Sequence, residues 1–594
     1  MIVCVIGVIY GIRLFFLQIV NDEWQQKAAA LTEEAIPLYP PRGIIYDRTG
    51  KMLVTNQTVY NLMVVPKKVL PFDTASFCAL LRIKKEDLIA TFQKAKARGE
   101  YHRPQILVEQ IVPADYAAMS EQLYKYTGFF AESRTLRVYP QGIGALFLGD
   151  VGKISPEEYK ELPYYTKLEY IGKSGVEKAY EEELRGIKGV NYAFRDNVGN
   201  IKERVGSEED KPAIPGTDLV CTMDAALQKY GEELMQNRRG CIVAIEPSTG
   251  EILAMVSAPT YDPNLLVGRV RGHNFNVLLN DKQKPLFNRA TQAQYRPGSI
   301  FKLAQSLTAL SVGAITEQTR IVCNRGIIGC HGSHSNDDLE MAIVHSCNPY
   351  FRGTMQRVVE GNRNPNNRFK DARLGLEIWQ GYIKRFGFGS DLHTDVPGVK
   401  IGLVPGVDFY DKWYGKEQWA FSTIYSLSIG EGEMLVTPMQ MCNLACVIAN
   451  RGWYVAPHTV KQIGIGGKPR KDFLVKYDLG IDSAYFHAVV NAMEKVMQPG
   501  GTAWRSALKD IVICGKTGTV QNAGGKEDHA VFVCFAPKEN PKIAVAVYTE
   551  NAGFGGTWSA PVASLMIEKY LNDTISNSSK AREKTIMDAN FLDR

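Results

Sequence analysis

At 594 residues, 45% of them hydrophobic and 22% charged, the chain is long enough for two or three domains and too ordinary in composition for wholesale disorder. A formal net charge of +6 is small for that length and excludes the dense basic footprint of a nucleic-acid-binding protein.

Residues 1–20 are almost wholly apolar, about the length that crosses a bilayer, with Arg13 as the one interruption. No small-residue cleavage site follows before Asn21, so the run reads as a retained transmembrane anchor with Arg13 near the outer interface. No Lys or Arg precedes it to mark a cytoplasmic side, which leaves open a natural helix that begins upstream. No later segment is as long and apolar, so the remainder is expected on one side of the membrane.

Residues 21–220 read as a non-catalytic pedestal of mixed α/β character. Tyr39 to Gly50 and then Met52 to Val65 give a strand, a Gly-ended turn and a second strand. From about 66 to 165 the character shifts to short amphipathic helices (Lys84 to Arg98, Pro113 to Lys125), which marks an inserted subdomain. Glu, Asp and Pro cluster between Gly206 and Pro215, and the domain boundary is placed there.

Residues 221–573 form the second large domain. Ala225 to Gln236 reads as a helix, and Cys241 to Ile245 with Ile252 to Val256 reads as a hairpin turning at Pro247-Ser248-Thr249-Gly250. A long, mostly helical section follows, whose clearest start is the capping box Thr437-Pro438-Met439-Gln440. Ile511 to Val520, Ala530 to Ala536 and Lys542 to Thr549 read as three strands, and Ala560 to Leu571 as a closing helix. Strands at both ends with helices between predict an α+β fold: one antiparallel sheet whose first and last strands meet, covered by helices. Residues 574–594 are polar and are expected to form a flexible tail.

Chemistry concentrates in three short strings. Pro297-Gly298 starts a helix that carries Ser299 and Lys302 three residues apart on one face. Burial or a second cation would lower the Lys302 pKa, letting the amine take the serine proton beside free backbone N–H groups. Ser346-Cys347-Asn348 offers a hydroxyl and an amide, and Lys516-Thr517-Gly518-Thr519 lies on a predicted strand. There the amine and hydroxyls could bind a terminal carboxylate, and Gly518 lets an extended substrate approach. Each string alone is weak. In this order and in these contexts they match the penicillin-recognising serine enzymes.

The resemblance extends along the chain. Arg42-Gly43-Ile44-Ile45-Tyr46-Asp47-Arg48, Gly172-Lys173-Ser174-Gly175 through Leu184-Arg185-Gly186, Ala244 to Met255, and Ile429-Gly430-Glu431-Gly432 resemble motifs of the class B penicillin-binding proteins, elongation type. Glu431 stands where Gln is more usual. The resemblance implies a serine β-lactamase-like transpeptidase fold and a peptidoglycan D,D-transpeptidase inhibited by β-lactams. In it Ser299 is the nucleophile, Lys302 its base, Ser346 the proton relay and Asn348 the substrate-backbone ligand. Lys516 supplies positive potential, Thr517 and Thr519 bind the carboxylate, and the N–H groups of Ser299 and Thr519 form the oxyanion hole. It further implies stem peptides ending in D-Ala-D-Ala as substrates, a SEDS-type glycosyltransferase as membrane partner, and an inner-membrane protein with its catalytic domain in the periplasm. A septal transpeptidase, a D,D-carboxypeptidase or β-lactamase, and a β-lactam sensor are the alternatives. No Glu near the motifs announces itself as a water activator, and a sensor would need further spans.

Most of the 11 cysteines lie in apolar runs and read as buried hydrophobes, among them Cys221, Cys241, Cys514 and Cys534. Cys323, Cys330, His334 and Cys347 differ: three thiols and an imidazole suit tetrahedral zinc in a structural role. Some enzymes of the resembling type carry such a site in a matching position. His331 is the alternative imidazole, and a Cys323–Cys330 disulfide the alternative chemistry. His345 has no acidic partner at a telling distance and reads as a packing or rim residue. Cys442 and Cys446 share a helix face and read as core.

Overall fold

The computed structural model describes residues 2–15, 33–166, 169–195, 201–202, 210–332, 334–522 and 526–592. Near the N-terminus a helix covers Ile2–Phe15, and residues 16–20 of the predicted anchor lie outside the described ones. Among the described residues no helix is long and apolar enough to cross a membrane.

The chain divides into two compact units. The first comprises Met1–Ile44, Thr55–Val138 and Glu182–Thr217. Its framework is the strand Met52–Val64 from Thr55 onward, which pairs in unbroken antiparallel register with Phe129–Val138. Helices Thr74–Leu81, Lys85–Ala97 and Pro113–Leu123 pack on this framework through Leu62, Val64, Phe77, Leu88 and Phe129. Their starts follow the local rules: Asp73 caps the first, and Pro113 opens the third.

The second unit comprises Ile45–Val54, Tyr139–Glu181 and Asp218–Arg594. Residues 139–165, read from composition as part of the inserted subdomain, cluster here. The centre is one antiparallel sheet built from β1 (Gly240–Ile245), β2 (Ile252–Ala258), β3 (Cys514–Val520), β4 (His529–Ala536) and β5 (Ile543–Thr549). Its order is β2-β1-β5-β4-β3, so the first hairpin and the last three strands join where β1 pairs with β5. Strands β1, β2 and β5 are buried along their whole length, which is why they read as continuous apolar runs without alternation.

Helices α1 (Ala225–Leu234), α2 (Lys302–Ser311), α3 (Leu339–Val344), α4 (Asn348–Val359), α5 (Pro438–Ala449), α6 (Gly555–Asn572) and α7 (Asn577–Asp588) surround the sheet. α5 is buried at every residue, as a helix apolar all round must be. It starts on the predicted box: Thr437 Oγ1 accepts from Gln440 N (3.3 Å), and Gln440 Oε1 accepts from Thr437 N (3.0 Å). Cys442 is packing material on this helix, its thiol donating to Val243 O at 3.3 Å.

The tail corrects one expectation. Residues 577–588 form α7, held by two apolar anchors too few to register as a pattern. Ile586 and Phe591 are each 2% exposed, and Phe591 meets Trp558 edge-on at 4.8 Å. Arg238 lies over the Phe591 ring at 5.0 Å and donates to Ile586 O. Removing a buried aromatic costs about 3 kcal/mol or more, so Phe591→Ala is expected to release residues 577–592 to protease while the sheet stays protected. A cleavage pattern identical to that of the parent protein would contradict this docking.

Candidate active site

The nucleophile's position follows from a short turn. Gly298–Phe301 is a single 3-10 turn that runs directly into α2 at Lys302. In 3-10 geometry residues i and i+3 eclipse, so Ser299 and Lys302 stack along one line. Gly298 makes the close approach possible: its φ is +59°, and a Cβ there would stand 2.9 Å from Val520 Cγ2 and 3.1 Å from Thr519 O. The turn therefore leans on the end of β3. Gly298 N also donates to Gly430 O at 2.9 Å.

Ser346 comes to the same place by a different device. α3 ends at Val344, and the chain turns through Ser346 at φ +57°. Ser346 N donates to Ile343 O (3.2 Å) and Cys347 N to Ala342 O (2.9 Å), the paired bonds of a Schellman stop. Glycine ordinarily holds that left-handed position. A serine there costs about 1 kcal/mol, offset by what its side chain reaches. Lys302 Nζ donates to Ser346 O at 2.7 Å, to Ser346 Oγ at 3.1 Å and to Asn348 Oδ1 at 2.5 Å.

Those contacts use all three donors of an ammonium. Among the described residues, Ser299 Oγ makes no hydrogen bond to Lys302, and catalytic contacts of this kind commonly tighten only with substrate in place. Lys302 is wholly buried, and burial pushes its amine down to about 7, against an upward pull from Cys330 and Cys347. The repulsion between the two cations falls on the second amine. Burial first, and then the charge of Lys302, push Lys516 far below its ordinary range.

β3 is the edge strand of the sheet, with β4 on one side only. Side chains alternate along it, so Lys516 and Gly518 share one face, and a Cβ on Gly518 would meet Ile300 of the nucleophile turn at 3.3 Å. Thr517 and Thr519 occupy the other face, and Thr517 shares a 2.7 Å hydroxyl contact with Thr502. Lys516 Nζ donates to Thr517 O at 3.0 Å. Nothing in the sequence around Thr502 signals its part.

Ligand atoms of Cys323, Cys330, His334 and Cys347 all lie within 4.8 Å of one another, and His331 is not in the cluster. The cysteines are free thiols rather than a disulfide. A hydrogen bond from the Cys347 thiol, then one from Asn348 N–H and another from Cys323, hold the Cys330 thiol well below the ordinary range of a cysteine. Asn348 is thereby tied to the cluster twice, since its Nδ2 also donates to Gly329 O at 2.7 Å. The reading of His345 needs correction: Asp337 Oδ2 stands 3.0 Å from its Nδ1, and its ring stacks on His334 at 4.8 Å. Asp337 lies eight residues before His345, at the other end of α3, a spacing that carries no signal in the sequence.

If Lys302 accepts the serine proton, only its free amine can act. Acylation of Ser299 by a β-lactam is then expected to rise with pH up to about 7 and to level off above it. Stopped-flow acylation across that range is the measurement, and a flat profile would contradict the role. Lys302→Arg, permanently charged, is expected to abolish acylation.

The family model described as penicillin binding protein transpeptidase domain matches residues 240–568, and that described as penicillin-binding protein dimerisation domain matches residues 37–221. The chain is 30% identical to the peptidoglycan D,D-transpeptidase MrdA of Haemophilus influenzae, over 97% of this chain and 91% of that protein. It is similar to Pseudomonas aeruginosa PBP2, solved in complex with WCK 5153, at 29% identity and a TM-score of 0.66 over 92% of this chain and 98% of that one. A chain solved in a peptidoglycan synthase complex that coordinates polymerization and crosslinking gives 26% identity and a TM-score of 0.71 over 97% and 98%. The three strings that converge here thus sit on a scaffold shared along nearly its whole length, and the chain belongs to the penicillin-binding protein transpeptidase family, resembling penicillin-binding protein 2 within it.

Proposed function

We propose that this chain is a peptidoglycan D,D-transpeptidase of cell-wall elongation. The observation that carries the reading is a buried amine of lowered pKa, Lys302, shared between the nucleophile turn and Ser346-Cys347-Asn348 beside an open strand edge. A stem peptide ending in D-Ala-D-Ala adds along β3, its terminal carboxylate taken by Thr517, Thr519 and the potential of Lys516. Its arrival favours a charged Lys516 and so a neutral Lys302. Lys302 takes the Ser299 proton as Oγ attacks the penultimate carbonyl. The N–H groups of Ser299 and Thr519 hold the oxyanion. Ser346 passes a proton to the departing D-Ala nitrogen, leaving an ester on Ser299. An amine of a neighbouring stem peptide then attacks that ester, forming the crosslink amide and restoring the serine hydroxyl.

Three thiols and an imidazole gathered this closely fit structural zinc held by Cys323, Cys330, His334 and Cys347. When bound, the metal supplies a cross-link between the loop 323–334 and Cys347. Asn348, tied to Cys330 and Gly329, is then kept facing Lys302. The apolar N-terminal run acts as an inner-membrane anchor, with the catalytic unit in the periplasm. The segment 37–221 docks on a SEDS-type glycan polymerase, a reading supported by the similar chain solved in a synthase complex.

Purified protein incubated with fluorescent penicillin is expected to form a long-lived adduct that Ser299→Ala abolishes, and to crosslink nascent glycan. Rapid loss of label would point to a hydrolase, and absence of any adduct would overturn the reading. Metal analysis tests the cluster. The parent chain is expected to hold about one zinc ion and Cys330→Ser much less, with acylation slowed about tenfold or more. A parent chain purified without chelator and free of zinc would discard the metal.

A further inference from the structure

An oxyanion hole made from two separate elements works only if their separation is held to a fraction of an ångström. Here one N–H belongs to the turn 298–301 and the other to β3, far apart in sequence, and packing of Gly298 against Val520 is one constraint on them. A second lies beside it.

Glu431 follows Gly430, whose carbonyl accepts from Gly298 N at 2.9 Å. Its two carboxylate oxygens go to different elements. Oε2 pairs with Arg296 Nη1 at 2.9 Å, three residues before the nucleophile, and Oε1 accepts from Gln521 N at 3.3 Å, one residue past the end of β3. The Glu431 side chain is 12% exposed and that of Arg296 is 36% exposed, so the pair is shielded on the carboxylate side. Tyr295 and Val436 exchange backbone bonds at 2.9 and 2.8 Å, which fixes the segment before Ser299 to the chain that carries Glu431. Asp528 is the other charged group facing this carboxylate, and burial pushes the Glu431 carboxyl up against the pull of Arg296 and the Gln521 N–H.

We propose that Glu431 is a positioning residue, whose carboxylate clasps Arg296 on the nucleophile's segment to the exit of β3 and so sets the spacing between the N–H groups of Ser299 and Thr519. The proposal rests on the transpeptidase reading. A glutamine, with one acceptor oxygen, can serve only one side of the clasp. The chemistry step therefore carries the effect, not ligand capture. A mis-spaced oxyanion hole slows bond formation, whereas Thr517 and the potential of Lys516, farther from the clasped end of β3, remain to hold the carboxylate.

The test separates maximal acylation rate from apparent affinity for fluorescent penicillin, with thermal unfolding followed in parallel. Glu431→Ala is expected to lower the maximal rate on the order of 10- to 100-fold, with affinity little changed. Glu431→Gln is expected to recover part of the loss. Arg296→Ala should slow acylation as well, and the double variant Arg296→Ala/Glu431→Ala should be no slower than the slower single one. An unchanged maximal rate in Glu431→Ala, or a loss confined to affinity, overturns the proposal while leaving the transpeptidase reading intact. A parent protein that takes no label defeats that reading instead. Should Glu431→Ala fail to fold, Glu431→Gln and Arg296→Ala decide the matter, and parent-like rates in both overturn it.

Discussion

Two amines lie buried near the nucleophile, and no carboxylate pairs with either among the described residues. Lys302 and Lys516 are both fully buried, so each proton they hold is paid for in lost hydration. That constraint organises the rest. It explains why Lys302 is surrounded by neutral oxygens, from Ser346 and Asn348, which orient the amine without neutralising it. It also explains why the charge of one lysine is felt by the other. An acidic residue at either place would settle the protons and leave no base near pH 7.

The scaffold answers to this chemistry by bringing together pieces that local structure has already shaped. The 3-10 turn eclipses a hydroxyl and an amine. The Schellman stop turns a second hydroxyl back toward that amine, and an edge strand presents the second amine. None of these devices is large. Each depends on one backbone condition, such as φ +59° at Gly298 or φ +57° at Ser346, maintained by the packed core behind it.

How much of this was legible depends on the range of the interaction. Strands β1, β2 and β5 stand out as apolar runs because they are buried from end to end, and the cap at Thr437 and Gln440 is a four-residue event visible as spelled. The start of α6 was not. The sequence starts it at Ala560, beside Pro561, yet the helix begins at Gly555, which lies close against the Val531 and Gly518 carbonyls, and runs through Pro561. The α7 segment hides its two anchors among charges. Within the site, residue types and order could be read, but directions could not. That Lys302 faces Asn348 in place of Ser299, that Asp337 meets His345, and that Thr502 backs Thr517 all follow from tertiary approach.

The unpaired edge of β3 has an implication for selectivity. A ligand laid along it is addressed through its amide groups, which every residue possesses, so side-chain variety upstream in the peptide is tolerated. What such a rail does register is chain direction, handedness at the reacting centre, and where the peptide stops. Chemical diversity in the donor's middle positions thus matters little to this surface, whereas a single residue added beyond the terminus displaces the reacting carbonyl by a full strand step.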